Sequence, residues 1–172
     1  MARNVNIPAM TAENNTPPPG LLKNPVYLLA LGFGAGLVPR MPGTAGTAVA
    51  VIIYIPMHTL SLPIYLGVVC LMFFVGIWCC GRASERLGVH DHRGIVWDEI
   101  VGYLTAMTFA PVGWPWAVLG FVLFRLFDIW KPWPIRWLDR SVRGGAGIML
   151  DDLAAALYSG VLMQLIAYIL KI

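Results

Sequence analysis

Charge is what this sequence most lacks. Only 12% of its 172 residues are Asp, Glu, Lys or Arg, against about 25% in an ordinary soluble domain. Hydrophobic residues make up 58% and the mean hydropathy is +0.71, so too little polar surface remains to cover a soluble fold. A polytopic helical membrane protein is predicted instead. Cysteine is scarce as well: Cys70, Cys79 and Cys80 contain no CxxC pair, which argues against a zinc knuckle and a disulfide framework. With no Lys/Arg block and a net charge of only +3, nucleic acid is not an expected partner. Neither GxSxG nor GxxxxGK(S/T) occurs, so a serine elbow and a nucleotide P-loop have no support. His90 and His92 stand at HxH spacing without a third His or a Cys nearby; an acidic cluster poor in His suits the hard ion Mg2+ better than zinc.

What the chain does have is a series of apolar runs separated by short charged loops. Residues 1–23 are polar and proline-rich and read as a disordered tail; residues 24–172 read as one all-α membrane domain. No secretory signal is expected, because the first residues are not basic and lead into no apolar run. Residues 26–38 are apolar but too few to cross a bilayer as a helix, and Gly32, Gly34 and Gly36 weaken any helix there. A re-entrant or interfacial segment is predicted. Crossings are predicted over 45–60, 62–80, 95–110, 116–130 and 153–172, about four to five in all.

The charges orient these runs. The turns HTLSLP and PVGWP contain no Lys or Arg, whereas the opposite loops hold Arg40, Arg82, Arg86, Arg93, Lys131, Arg136, Arg140 and Arg143. By the positive-inside rule the latter face the cytoplasm. All the charged motifs therefore fall on one membrane face, as a single site assembled from distant segments requires.

Three groups on that face carry chemistry. Asp98 and Glu99 open a helix, where a carboxylate also suits the helix dipole; being adjacent they point about 100° apart. Asp91 is placed to join them from the loop. Arg125, Asp128 and Lys131 are spaced i, i+3, i+6, along one face if the helix continues to Lys131. Arg125 lies well inside an apolar run, and an ionisable residue there marks function by default. Asp151 and Asp152 follow GGAGIML, whose glycines permit an anion-binding turn; helix capping is the plainer explanation of the pair. The stretch 124–152 concentrates four of the nine acidic residues and five of the twelve Lys/Arg.

The segments GFGAGLVPRMPGTAGT, HDHRGIVWDEIVG, FRLFDIWKPWPIRWLDR and GGAGIMLDDLAA resemble, in order and spacing, those of the bacterial phosphatidylglycerophosphatase A family. The resemblance runs from residue 24 into the last helix. It implies a Mg2+-dependent, multi-pass inner-membrane phosphatase, its site facing the cytoplasm, that converts the membrane lipid phosphatidylglycerophosphate to phosphatidylglycerol. The roles expected on that basis are Asp98, Glu99, Asp128, Asp151 and Asp152 around the metal, with Asp91 among the catalytic carboxylates beside Asp98, Glu99 and Asp128. Arg125, Lys131, Thr44 and Gly145 would hold phosphate, and Pro42, Gly43 and Gly46 belong to the same pattern. Thr47 departs from the Ser expected there but keeps the hydroxyl. The number of metal ions, an attacking water against an aspartyl nucleophile, and the oligomeric state stay open. A small channel or transporter for phosphorylated or charged solutes is the alternative, disfavoured because few polar residues interrupt the apolar runs.

Overall fold

A computed structural model describes residues 21–171; most of the proline-rich tail lies outside the described residues. The described residues begin with a 3-10 turn at Leu21–Lys23, with Leu21 buried. Seven α-helices follow: α1 (Pro25–Ala30), α2 (Pro42–Met57), α3 (Leu62–Leu87), α4 (Trp97–Ala106), α5 (Trp114–Trp130), α6 (Ile135–Ser141) and α7 (Gly144–Leu170). No strand occurs among the described residues, as expected for an all-α chain.

Local chemistry sets the boundaries. Asn24 caps α1 by accepting the Val26 N–H at 2.9 Å, and Pro25 begins the helix where a missing N–H costs nothing. A 3-10 segment, Gly32–Leu37, follows α1, with Phe33 and Gly34 in left-handed conformations. The run 26–38 is therefore a short helix and an irregular turn, and does not cross as one helix. Pro42, Pro63 and Pro115 fall in the first turns of α2, α3 and α5, and Gly88 closes α3 with a left-handed φ of 70°, a common helix stop.

Three boundaries differ from those predicted. Helix α4 has 10 residues, about 15 Å of rise, so the predicted crossing at 95–110 is too short to traverse a bilayer alone. Its surroundings explain the brevity: Ile100, Val101, Tyr103 and Leu104 are all buried, making α4 the axis of the bundle with α2, α3, α5 and α7 packed around it. Helix α7 begins at Gly144, not near residue 153, which places the Asp pair two turns inside the helix instead of at its cap. The segment after Lys131, read as loop, contains α6, packed against α7. Two helices, α3 and α7, are long and apolar enough to cross a membrane.

Polar side chains inside the bundle find backbone partners. Tyr65 donates to the Leu104 carbonyl at 2.6 Å, Tyr103 to Ala117 at 3.1 Å and the Trp97 indole to Met72 at 3.0 Å. The buried Thr47 hydroxyl donates to Gly43 one turn back at 2.9 Å, which a Ser would also do. The outer surface is apolar: Ile52, Leu71, Phe74, Val118, Val161 and Ile169 are all exposed. Monomeric soluble proteins rarely carry apolar surface on this scale.

Candidate active site

The helix ends that carry charge meet at one end of the bundle around a cavity of about 310 Å3. The α1–α2 loop and the start of α2 supply Arg40, Met41, Pro42, Gly43 and Thr44. Asp91, Arg93 and Ile95 come from the α3–α4 loop and Asp98 and Glu99 from α4. Arg125, Asp128 and Ile129 come from α5, Lys131 from just beyond it, and Asp151 and Asp152 from α7. Segments far apart in sequence thus share one face, as their charges predicted.

Close backbone approach makes this possible at Gly43. A Cβ there would lie 2.2 Å from Glu99 Oε1 and 2.9 Å from an Arg125 guanidinium nitrogen, inside any real contact. Only glycine lets the start of α2 sit against these two charged groups.

The carboxylates fall into two sets. Asp98, Glu99 and Asp152 each offer an oxygen within 4.8 Å of the other two. Asp128 Oδ2 instead takes the Arg125 guanidinium at 2.5 Å, with Glu99 Oε1 3.5 Å from the same nitrogen. Asp151 Oδ2 takes Lys131 Nζ at 2.6 Å, and Asp139 Oδ1 takes it at 2.8 Å. Asp128 and Asp151, expected among the metal ligands, therefore stand outside the close triad, each against a cation.

Whether the triad suits a metal ion is answered by its loose ends. Asp98 Oδ1, Glu99 Oε2 and Asp152 Oδ2 are buried with no hydrogen-bond partner among the described residues, as is Asp151 Oδ1, whose other oxygen meets Lys131. Buried carboxylate oxygens in that condition are costly unless a cation meets them. Three hard oxygen donors at this spacing fit a divalent cation, and the buried acidic group can hold one.

Lys131 does not extend α5. It caps the helix with a left-handed φ of 45°, which swings its amine toward Asp139 and Asp151. Burial works against its charge, but those two carboxylates outweigh burial and hold its pKa above the ordinary value. Asp91 sits at the rim. The protein around it desolvates its carboxylate and raises its pKa, while Lys131 pulls the other way.

Comparison with known proteins shows the family. The profile of the family described as phosphatidylglycerophosphatase A matches residues 28–167. The chain belongs to the phosphatidylglycerophosphatase A family. A phosphatidylglycerophosphatase A from Escherichia coli (strain K12) is 45% identical over 148 residues, covering 86% of each chain. One from Haemophilus influenzae is 42% identical over 161 residues, 91% of this chain and 97% of the relative. A Bacteroides thetaiotaomicron protein with the provisional name phosphatidylinositol-3-phosphatase is 36% identical, over 87% of this chain and 99% of its own. No solved structure matches.

The phosphatidylglycerophosphatase A motifs thus converge on the cavity, though not every residue of them lines it. Gly145 does not line it: a Cβ there would lie 1.8 Å from the Ile77 carbonyl oxygen, so this glycine lets α7 pack closely on α3. Gly144–Gly147 form the first turn of α7, not an open anion-binding turn. The histidines also stand apart, with His92 Nδ1 accepting the Gly94 N–H at 3.1 Å. Sequence reasoning passed over Arg40 and Arg93, which line the cavity, and Asp139, the second partner of Lys131; an isolated charge in a loop gives no pattern to read. Sequence reasoning also ruled out a Cys-x5-Arg phosphatase loop, although the spacing itself occurs from Cys80 to Arg86. That segment is continuous helix in α3 and Cys80 is fully buried, so it forms no phosphate-cradling loop.

Proposed function

We propose that the enzyme removes the terminal phosphomonoester of phosphatidylglycerophosphate to give phosphatidylglycerol, with Mg2+ as cofactor, at the cytoplasmic face of the bacterial inner membrane. The observation that carries this reading is the unpartnered buried triad of Asp98, Glu99 and Asp152 in a chain of this family. A lipid substrate is supported by the surroundings of the cavity. Arg125 and Ile129 line both it and an adjoining groove walled by Val122, Leu126 and Trp130, so a headgroup can enter while its acyl chains stay outside along α5.

Asp98, Glu99 and Asp152 would hold Mg2+, with Asp128 and Asp151 beside them. Bound there, the ion supplies positive charge against the phosphoryl oxygens. Arg125, whose buried Nε has no partner among the described residues, offers a charge-assisted donor to the terminal phosphate. Thr44 adds a hydroxyl from the start of α2. Lys131 holds Asp151 in place. Asp91, accessible at the rim, takes the proton of the attacking water. As the water oxygen bonds to phosphorus the P–O ester bond breaks, and the glycerol oxygen leaves as the hydroxyl of phosphatidylglycerol, receiving the proton that Asp91 took from the water.

For topology, α2 and α5 are proposed to cross with α3 and α7, giving four crossings around the short α4. Their 16 and 17 residues rise about 24–26 Å, a mismatch that local bilayer thinning accommodates. The α1 segment is re-entrant or interfacial.

The purified protein in detergent should release phosphate from phosphatidylglycerophosphate with Mg2+ present and stop on chelation. Metal-independent turnover would refute the triad's role, and a phospho-enzyme trapped by acid quench would replace the attacking water with an aspartyl nucleophile.

A further inference from the structure

Four cations line the cavity, and they are not equivalent. Arg125 is engaged by Asp128 and Glu99, and Lys131 by Asp151 and Asp139. Arg40 and Arg93 are exposed at the mouth, and neither forms an ion pair or hydrogen bond with any described residue. The proposed substrate carries two phosphates: the terminal monoester that is cleaved, and the inner diester joining the headgroup to diacylglycerol. Arg125 makes one hydrogen bond among the described residues, to Asp128, so its remaining N–H donors can serve the first. The two mouth arginines are the cavity cations that no described carboxylate already engages.

We propose that Arg40 and Arg93 form a binding site for the inner phosphodiester, and so select lipids that carry a phosphodiester between the acyl chains and the scissile group. The inference rests on the phosphatidylglycerophosphate reading and adds to it the part of the substrate that is not cut. Two features place the arginines for this role. Their loops are fastened together: the Val96 N–H donates to the Ala30 carbonyl at 2.9 Å, and a Cβ on Gly36 would lie 1.9 Å from the Gly94 carbonyl oxygen. Residues 40 and 93 thus flank one closely packed rim. Arg40 also has a left-handed φ of 69°, a conformation that costs a non-glycine residue energy and persists where the surroundings impose it. Guanidinium groups match phosphate oxygens in pairs, whereas a lone ammonium offers a point charge.

The test uses the full-length enzyme in neutral detergent micelles, with Arg40→Gln, Arg93→Gln and the double variant. The double variant should raise KM for phosphatidylglycerophosphate about tenfold while kcat stays within about twofold, the scale of a lost charge-assisted contact. Inhibition by phosphatidylglycerol, which keeps the diester and lacks the terminal phosphate, should weaken by the same factor. Inhibition by inorganic phosphate, which competes only at the terminal position, should not weaken. Arg→Lys at both positions should recover part of the affinity, which a merely structural role would not show. Unchanged KM and unchanged phosphatidylglycerol inhibition in the double variant would overturn the proposal. So would an equal loss of inorganic phosphate inhibition, which would assign the arginines to the scissile group. A wild-type enzyme inert toward phosphatidylglycerophosphate would instead sink the proposed function, and this inference with it.

Discussion

Six carboxylates line one cavity, and the contrast between two groups of them is instructive. Asp128 and Asp151 each face a cation at 2.5–2.6 Å. Asp98 and Asp152 face no side-chain cation within ion-pair distance among the described residues, and they crowd Glu99 closely enough to share one ion. The residue types are alike and the depth is similar; only the partners differ. A carboxylate facing a cation has its charge balanced, even where one oxygen stays unpartnered as in Asp151, while a buried one with no cation stores a demand for a ligand. Sequence alone could not separate them, because DE and DD pairs look equally able to bind metal. Glu99 bridges the two groups, since one of its oxygens lies near Arg125 and the other is free.

This contrast can be broken from either side. The largest effect is expected from the unsatisfied group. Asp152→Asn or Asp98→Asn should lower kcat by about 10^3, several kcal/mol of lost charge stabilisation, and weaken Mn2+ binding followed by electron paramagnetic resonance. Retained Mn2+ affinity in both variants would erase the distinction. Asp128→Asn should come next. It leaves the buried Arg125 with Glu99 alone, and breaking such a pair costs about 3 kcal/mol of stability, read as a lower melting temperature with Mn2+ affinity largely kept.

Gly145→Ala separates packing from phosphate binding. The added methyl meets the Ile77 carbonyl, and overpacking of this kind costs about 1–3 kcal/mol. Stability should fall while KM of the folded enzyme holds; a raised KM at normal stability would return this glycine to the phosphate site. The smallest effect is expected at Asp139. Lys131 keeps Asp151 when Asp139→Asn removes its other, partly exposed partner, so stability should drop by about 1 kcal/mol or less and turnover by less than about threefold. A loss as large as that of Asp152→Asn would mean that Asp139 belongs to the reacting group.

Much of the site was legible in the sequence because a membrane chain spends few charges, and those it keeps stand out. Charge asymmetry between the two sets of loops was enough to bring residues 91–99, 125–131 and 151–152 to one face. Helix α7 was misplaced because GGAG carries a propensity cost of nearly 1 kcal/mol per glycine. Close packing on α3, which only such small residues allow, reverses that preference, and it is visible only once both helices are in place. Helix α4 was overextended because a continuous apolar run does not reveal where the backbone turns. Asp139 and the two mouth arginines were missed because their meaning lies in what they face.

The late start assumed for α7 also concealed a constraint on chain length. Asp151 and Asp152 are consecutive on one helix, yet one side chain reaches Lys131 and the other the Asp98–Glu99 pair. Inserting or deleting one residue between Gly144 and Leu150 would turn both carboxylates by about 100° relative to the helix start, so that neither would meet its partner. The three residues joining α5 to α6 outside Lys131 impose no such phase. Homologous chains that keep this chemistry should therefore vary in length in their loops and hold the count from the first glycine of α7 to its aspartate pair fixed.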